Sequence, residues 1–303
     1  MARCVLTNCY TPVKAVKPTT RGERQTYLVQ NRTNGDGEPR TKETLRRLVL
    51  ETSILTNYAG SSLVELGHTK VLGQLAISTD GNHALVETGV LLVRVNQVAN
   101  LALPSSYSST VSSLDVAHNN NSTTTNRKPQ SAQGGSVDLE ARIHTALLPA
   151  LHLVDYPKTV LQLDITVLQN DGSLLSASLL AATLAMADAR VELYDLVTCC
   201  EVVVMNCAST ATGDVGDGNA GTNHELLVDP TLEEERAASA KITLAIMPQW
   251  KEVTLWQQSG CVSSSMAAAQ QGKAIEEAMK LCRDGCRTLH RFVRQHLLDK
   301  EQE

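Results

Sequence analysis

Several clusters in this chain carry residue types that could do chemistry. Glu233, Glu234 and Glu235 follow Asp229 closely, which allows a metal-binding acidic cluster. A local reading fits the same residues better. Asp229 or Thr231 caps a short turn, Glu234 completes a Thr-x-x-Glu capping box, and the acids face the positive end of a helix dipole. Cys282 and Cys286 are four apart on a helical stretch, but no matching His or Cys pair stands elsewhere at zinc spacing. With Cys199 and Cys200 falling in a strand, buried thiols are the expectation. His68 sits beside Thr69 without the acid and nucleophile that a triad requires. Asp214 and Asp217 lie in a Gly/Asp/Asn loop at 213–223 that lacks the spacing and the terminal Glu of a calcium loop. No metal and no cofactor are expected, and none of these clusters makes a complete catalytic set.

One segment says more. Residues 163–197 read as a strand, a tight turn at Asp171-Gly172, a long helix of small residues, and a second turn into another strand. The elements around it are α+β in order: strands first, then a helix, then strands and a terminal helix, with helices packed on sheets. Residues 1–43, rich in Thr, Arg, Gly and Pro, read as a partly disordered extension, with a turn-rich stretch at 34–40. From 47 to 75 the runs are β-branched and Leu-rich, broken by a turn cluster at 57–60, and 84–103 holds one or two further strands. Residues 104–136 form a Ser/Thr/Asn/Gln-rich insertion with almost no large apolar side chains, too polar to repay its ordering entropy. Helical spacing follows at 138–153, where Leu139, Ile143, Leu147 and Leu151 share a face and Pro149 predicts a late kink. Strands are expected at 201–205, 226–228 and 242–247, and an amphipathic helix from 264 to about 300. Beyond the extension, 44–303 reads as a single domain.

The bulk composition sets limits. The chain has 303 residues, 42% hydrophobic and 19% charged, with one Phe, so Leu, Val and Ala must fill the core. Its formal charge of −5 excludes a generally basic nucleic-acid binder, and any RNA contact has to be local or shared with partners. No apolar run reaches the length of a membrane span and no secretory signal is expected. Eight cysteines without a repeating frame suit a reducing compartment, cytosol or nucleus, so the sequons at Asn31 and Asn121 carry no meaning.

Three segments in this order resemble the RNase PH family of phosphate-dependent exoribonucleases. Residues 46–75 hold Gly60, Ser61, Gly67, Thr69 and Val71 at the places of that family's opening hairpin. Residues 169–197 resemble its signature turn and helix, and 226–248 its third segment. Within the family the phrases YDLV, LLVDPT, LEEERAA and LAIMP, with LLPALHLVDYP ahead of the signature, resemble the ring subunits of the eukaryotic RNA exosome. The resemblance spans about 46–300 apart from the polar insertion, and it implies the RNase PH fold, a ribosomal protein S5 domain 2-like β-α-β-α core of two sheets with packed helices.

That resemblance also implies where a phosphate would be held. Active relatives carry Asp-Gly-Gly-Thr-Arg-Thr-Ala at the turn; this chain has Asp171, Gly172, Ser173, Leu174, Leu175, Ser176 and Ala177. The neighbouring threonine position is thus Leu174 and the phosphate-binding arginine position is Leu175, which offer no donors, and burying a dianion against them is costly. The acidic position about a dozen residues past Asp229 is Lys241, a reversed charge. The region of the basic RNA loop, 101–113, has no Arg or Lys, and Thr145 and Leu148 take positions often basic in active enzymes. Arg94 and Lys70 read as solvated surface charges, so no RNA-binding residue is assigned.

The function this implies is a non-catalytic subunit of the exosome's hexameric ring. Its partners would be other RNase PH-like subunits, S1/KH cap subunits and RNA threaded through a composite channel, in the nucleus, nucleolus and cytoplasm, with no membrane contact. Two alternatives stand beside it: an active phosphate-dependent 3′–5′ exoribonuclease, and a scaffold protein that works outside the exosome.

Overall fold

Strand alternation builds the first sheet. In β2 (Gly60–Leu66) and β3 (Thr69–Thr79) alternate side chains point inward, so Val64, Leu66, Val71 and Leu75 are fully buried while their neighbours face outward. A two-residue turn at Gly67-His68 joins them as an antiparallel hairpin. This computed structural model describes residues 21–33, 39–79, 88–97, 133–207, 223–262 and 268–302. The polar insertion up to residue 132 and the loop carrying Asp214 and Asp217 lie outside them.

Five strands make this sheet, in the order β1 (Leu48–Thr52), β2, β3, β5 (Thr159–Gln169), β4 (Val90–Gln97), and only the β4–β5 pair is parallel. The second sheet is antiparallel with four strands. Its order is β7 (Asn223–Val228), β6 (Thr198–Cys207), β8 (Ala240–Met247), β9 (Glu252–Gly260). The expected α+β architecture of two sheets with packed helices is therefore what forms. β9 was not read in sequence: Glu252-Val253-Thr254-Leu255 alternates polar and apolar, but over only four residues, and the burial of the strand does not follow it.

Helix α3 (Leu174–Asp188) has no polar face: from Leu174 to Met186 every side chain is buried. A helix that is apolar all round belongs inside a core, and it contacts β2 and β3 of one sheet and β6 of the other. Close approach is possible because Gly60 of β2 has no Cβ, which would collide with the backbone oxygen of Ala185. Helix α2 (Gln133–Leu147) begins before the expected 138 and stops where Leu148–Ala150 tighten into a 3-10 turn around Pro149. Helix α5 (Ala268–Glu301) lays Ala274, Ala278, Cys282, Cys286, Leu289 and Val293 inward, with contacts to β6 and β8. Among the described residues no helix is long and apolar enough to cross a membrane.

Arg21–Gln30, inside the stretch expected as an extension, forms helix α1 on β6, with Leu28 and Val29 packed against Val203, Met205 and Leu227. Its apolar contacts are too few to show a period in sequence. The short helix α4 (Leu232–Ala237) has the expected cap: the Thr231 hydroxyl accepts from the Glu234 N–H and the Glu234 carboxylate accepts from the Thr231 N–H at 2.8 Å.

Candidate functional site at the start of the buried helix

The turn from Asn170 to Ser173 ends β5 and starts α3. Gly172 has φ +89°, and a Cβ there would strike the backbone of Pro230 and Thr231, so the turn lies directly against the 229–232 segment. Ser173 caps α3 in the left-handed region, φ +48°. Thr69 stitches the turn to the β2–β3 hairpin: its hydroxyl donates to Gly172 O at 2.8 Å and accepts from Asp171 N–H at 3.0 Å.

Two ionic groups hold this turn. Arg46 reaches Asp229 through Nε (3.0 Å) and Nη2 (2.8 Å), while its backbone N–H donates to the same carboxylate at 2.8 Å. Its other guanidinium donors go to the carbonyls of Asp171 (2.8 Å) and Gly172 (3.2 Å). Both side chains are buried. Burial alone would raise the Asp229 carboxyl, yet the Arg46 charge and hydrogen bonds outweigh it and hold it below its ordinary range. Arg32 adds a second clamp, with Nε to Glu234 at 2.7 Å and Nη2 to Val228 O at 2.8 Å, and Arg40 donates to Asp229 O at 2.6 Å.

The other group is Glu201, Lys241 and Glu235. Lys241 Nζ lies 2.7 Å from Glu201 and 3.2 Å from Glu235, whose Oε1 accepts the Ser173 N–H at 2.7 Å. The Glu201 contact is an ion approach without well-aligned hydrogen-bond geometry. Glu201 is fully buried, and two acids share one ammonium. Burial, opposed by Lys241 and reinforced by Glu235, pushes Glu201 up to about 7.

The positions singled out in sequence fall here in different states. Leu174 and Leu175 are fully buried in the main core cluster. Ser176 is buried too, its hydroxyl donating to Cys199 O. Lys241 lies beside the turn, in the ion group just described. A polar cavity of about 280 Å³ opens next to the turn, lined among others by Arg32, His68, Asp171 and Glu233; Leu174, Leu175, Ser176 and Lys241 do not line it. His68 is exposed. Lys70 pairs with Glu65 at 2.7 Å, Arg94 is exposed on edge strand β4, and Thr145 bonds back to its own helix at Ala141 O. Cys199, Cys200, Cys282 and Cys286 are buried free thiols. Burial holds Cys199 and Cys286 well above the ordinary thiol range, and a hydrogen bond with Cys200 followed by burial does so for Cys282, so none of these three is a nucleophile. Among the described residues no group of His, Cys, Asp and Glu is placed to hold a metal.

Sequence reasoning missed Arg32, Arg46 and Glu201, and it read Glu235 only as one of three acids at a helix start, not as the partner of Lys241 and of the Ser173 N–H. Glu201 did leave a signal: a lone acid within the apolar strand CCEVVVM must find a buried partner.

The 3′ exoribonuclease family is described by models of two domains. The first matches residues 44–192 and the second 195–281, dividing between the two sheets. The chain belongs to this family. It is 28% identical over 285 residues to Exosome complex component Rrp41 of Cenarchaeum symbiosum, covering 92% of this chain and 97% of that protein. It is 33% identical over 172 residues to Exosome complex component MTR3 of Mus musculus, 57% of this chain and 55% of that protein. Among solved structures it superposes on a chain of the Archaeoglobus fulgidus exosome with RNA bound to the active site, with a TM-score of 0.60 at 19% identity, covering 88% of this chain and 96% of that one. Rice Rrp46 gives 0.57 at 18% identity over 87% of this chain and 100% of its own. The fold is the RNase PH fold that the resemblance implied.

Proposed function

We propose that this chain is a non-catalytic structural subunit of an RNA exosome hexameric ring, of the MTR3 (mRNA transport regulator three) type. One observation carries the reading. At the turn where active relatives hold phosphate, Leu174 and Leu175 are buried in the core and Ser173 N–H is already taken by Glu235. Each leucine buried there stabilises by about 1.5–3 kcal/mol, so the positions serve the fold. The anion-favouring start of α3 faces an internal carboxylate, itself tied to Lys241.

In that ring the chain pairs with other RNase PH-like subunits, meets S1/KH cap subunits, and lines part of a composite channel for RNA in nucleus, nucleolus and cytoplasm. Affinity purification of the tagged chain followed by mass spectrometry tests membership. Co-purification of other RNase PH-like subunits is the expected result; their absence would leave the independent scaffold. Incubation of the purified complex with RNA and inorganic phosphate tests catalysis. Nucleoside diphosphates that disappear when Glu235 or Lys241 is replaced would assign phosphorolysis to this chain.

A further inference from the structure

Charge is spread unevenly along α5. From Ala268 to Met279 one Lys stands against two Glu, whereas from Lys280 to Lys300 six Lys/Arg stand against two Asp. Lys280, Arg283, Arg287, Arg291 and Arg294 are all exposed and recur three or four residues apart, which puts them within an arc of roughly 80° and along about 21 Å of helix. The other side of the helix carries Ala278, Cys282, Cys286, Leu289 and Val293 into the core, so this arc points away from the protein. Lys280, Arg283, Arg291 and Arg294 have no ion-pair partner among the described residues, and Arg287 has only an exposed contact with Asp284 at 3.1 Å.

Two ordinary reasons for such a row do not apply. Cations favour the last turn of a helix, where carbonyls are unpaired, but only Lys300 stands there and the arginines lie about two to five turns earlier. Acid–base neighbours four residues apart steady an exposed helix, but here the neighbours at that spacing, Arg283–Arg287 and Arg287–Arg291, repel. The row therefore weakens the helix of the isolated chain, and carboxylates laid along it would reverse that effect.

We propose that the 280–294 face of α5 docks an acidic helical segment of a partner polypeptide. Glutamates three and four residues apart on such a helix repeat at the same rise of about 4.5–6 Å as the arginines. A helix lying alongside α5 can therefore meet Arg283, Arg287, Arg291 and Arg294 in turn, through charge-assisted hydrogen bonds from both arms of each guanidinium. Two features of the same face favour polypeptide over nucleic acid. No ring stands in the arc for a base to stack on, since Phe292 lies roughly 140° round the helix from Arg287. Acids do stand there: Asp284 beside Arg287, and the exposed Glu276 four residues before Lys280. An unbroken row of phosphates would meet both acids, whereas a polypeptide can set a neutral or basic side chain opposite each. The inference rests on α5 alone and not on ring membership, so co-purification and this docking can fail separately.

The test is fluorescence anisotropy with the full chain, as purified with whatever partners accompany it. The probe is a labelled alanine-based helical peptide carrying glutamates at three- and four-residue spacing. The same peptide with Gln for Glu, and an oligouridine of equal charge, are the comparators. The glutamate peptide is expected to bind with an affinity that falls as salt rises, and both comparators to bind several-fold more weakly. Arg287→Glu with Arg291→Glu should weaken the glutamate peptide about tenfold or more. A lysine version of the peptide should bind this double variant better than it binds wild type, which also shows the variant to be folded. Arg283→Ala with Arg294→Ala, a change without reversal, should give a smaller loss. Any of three results overturns the proposal: a glutamate peptide bound no better than its Gln form, a double variant that binds it as tightly as wild type, or an oligouridine bound as tightly as the glutamate peptide or more so. The last would make the face a nucleic-acid surface.

Discussion

The Arg46–Asp229 pair and the Glu201–Lys241–Glu235 group hold the same turn and solve burial differently. In the first, one guanidinium meets one carboxylate bidentately, and its spare donors reach the carbonyls of Asp171 and Gly172. In the second, two acids share one ammonium and the deeper acid is not well aligned to it. The outcome shows in their protonation: Asp229 is held below its ordinary range, whereas Glu201 is pushed up to about 7. A balanced, fully bonded pair belongs to the scaffold. The unbalanced one lies at the start of α3, where Glu235 accepts the Ser173 N–H and also meets Lys241.

Breaking the balanced pair should have the largest effect. Asp229→Ala leaves Arg46 charged and buried, and an uncompensated buried charge costs about 3–5 kcal/mol; a chemical-denaturation midpoint measures it. Because Asp229 is depressed, its contribution is complete above the ordinary carboxylate range and is lost as pH falls through its lowered value, so wild type and Asp229→Ala should converge in acid. Leu175→Arg is the companion test on the core side. Fully buried at 1% exposure, that position has no partner for a charge, and a loss of similar size is expected. If sulfate or phosphate instead raised the melting temperature of Leu175→Arg and not of wild type, a latent anion site would exist there, against the reading proposed above.

Next in size is Gly172→Ala. A left-handed φ combined with collision against the Pro230–Thr231 backbone should cost about 2–3 kcal/mol. Since that turn carries Ser173 into contact with Glu235, thermal unfolding should show a lowered midpoint without a new intermediate if the turn is part of the cooperative core.

How far these two groups could be read in sequence differs as well. The small-residue helix α3 and the Thr231–Glu234 capping box are local patterns, the β2–β3 hairpin followed from the resemblance, and each is present. Leu174, Leu175 and Lys241 came from resemblance. Arg46 was invisible because its partner lies 183 residues away, and no periodicity encodes a pairing across that distance. Helix α1 and strand β9 escaped for the opposite reason: their contacts are local to one side and too shallow to impose an apolar stripe. Sequence thus exposed what neighbouring residues decide and hid what the closing of the sheets decides.

The smallest effect is the one that separates the two groups most cleanly. Glu201 has its carboxyl raised by burial, so the folded state binds a proton more tightly than the unfolded chain does. Stability from this group is therefore present at low pH and is lost as pH rises through about 7, opposite in sign to Asp229. Glu201→Gln removes the titration while leaving one carboxylate, Glu235, for Lys241. At pH 5.5 the variant should match wild type, whose Glu201 is then protonated. At pH 8 it should be the more stable by on the order of 2 kcal/mol. Melting temperatures of the two proteins across that range decide it. A Glu201→Gln protein that is less stable at pH 8 would mean that Lys241 needs both carboxylates, and the group would then count, like the Arg46 clasp, among the pairs that hold the fold.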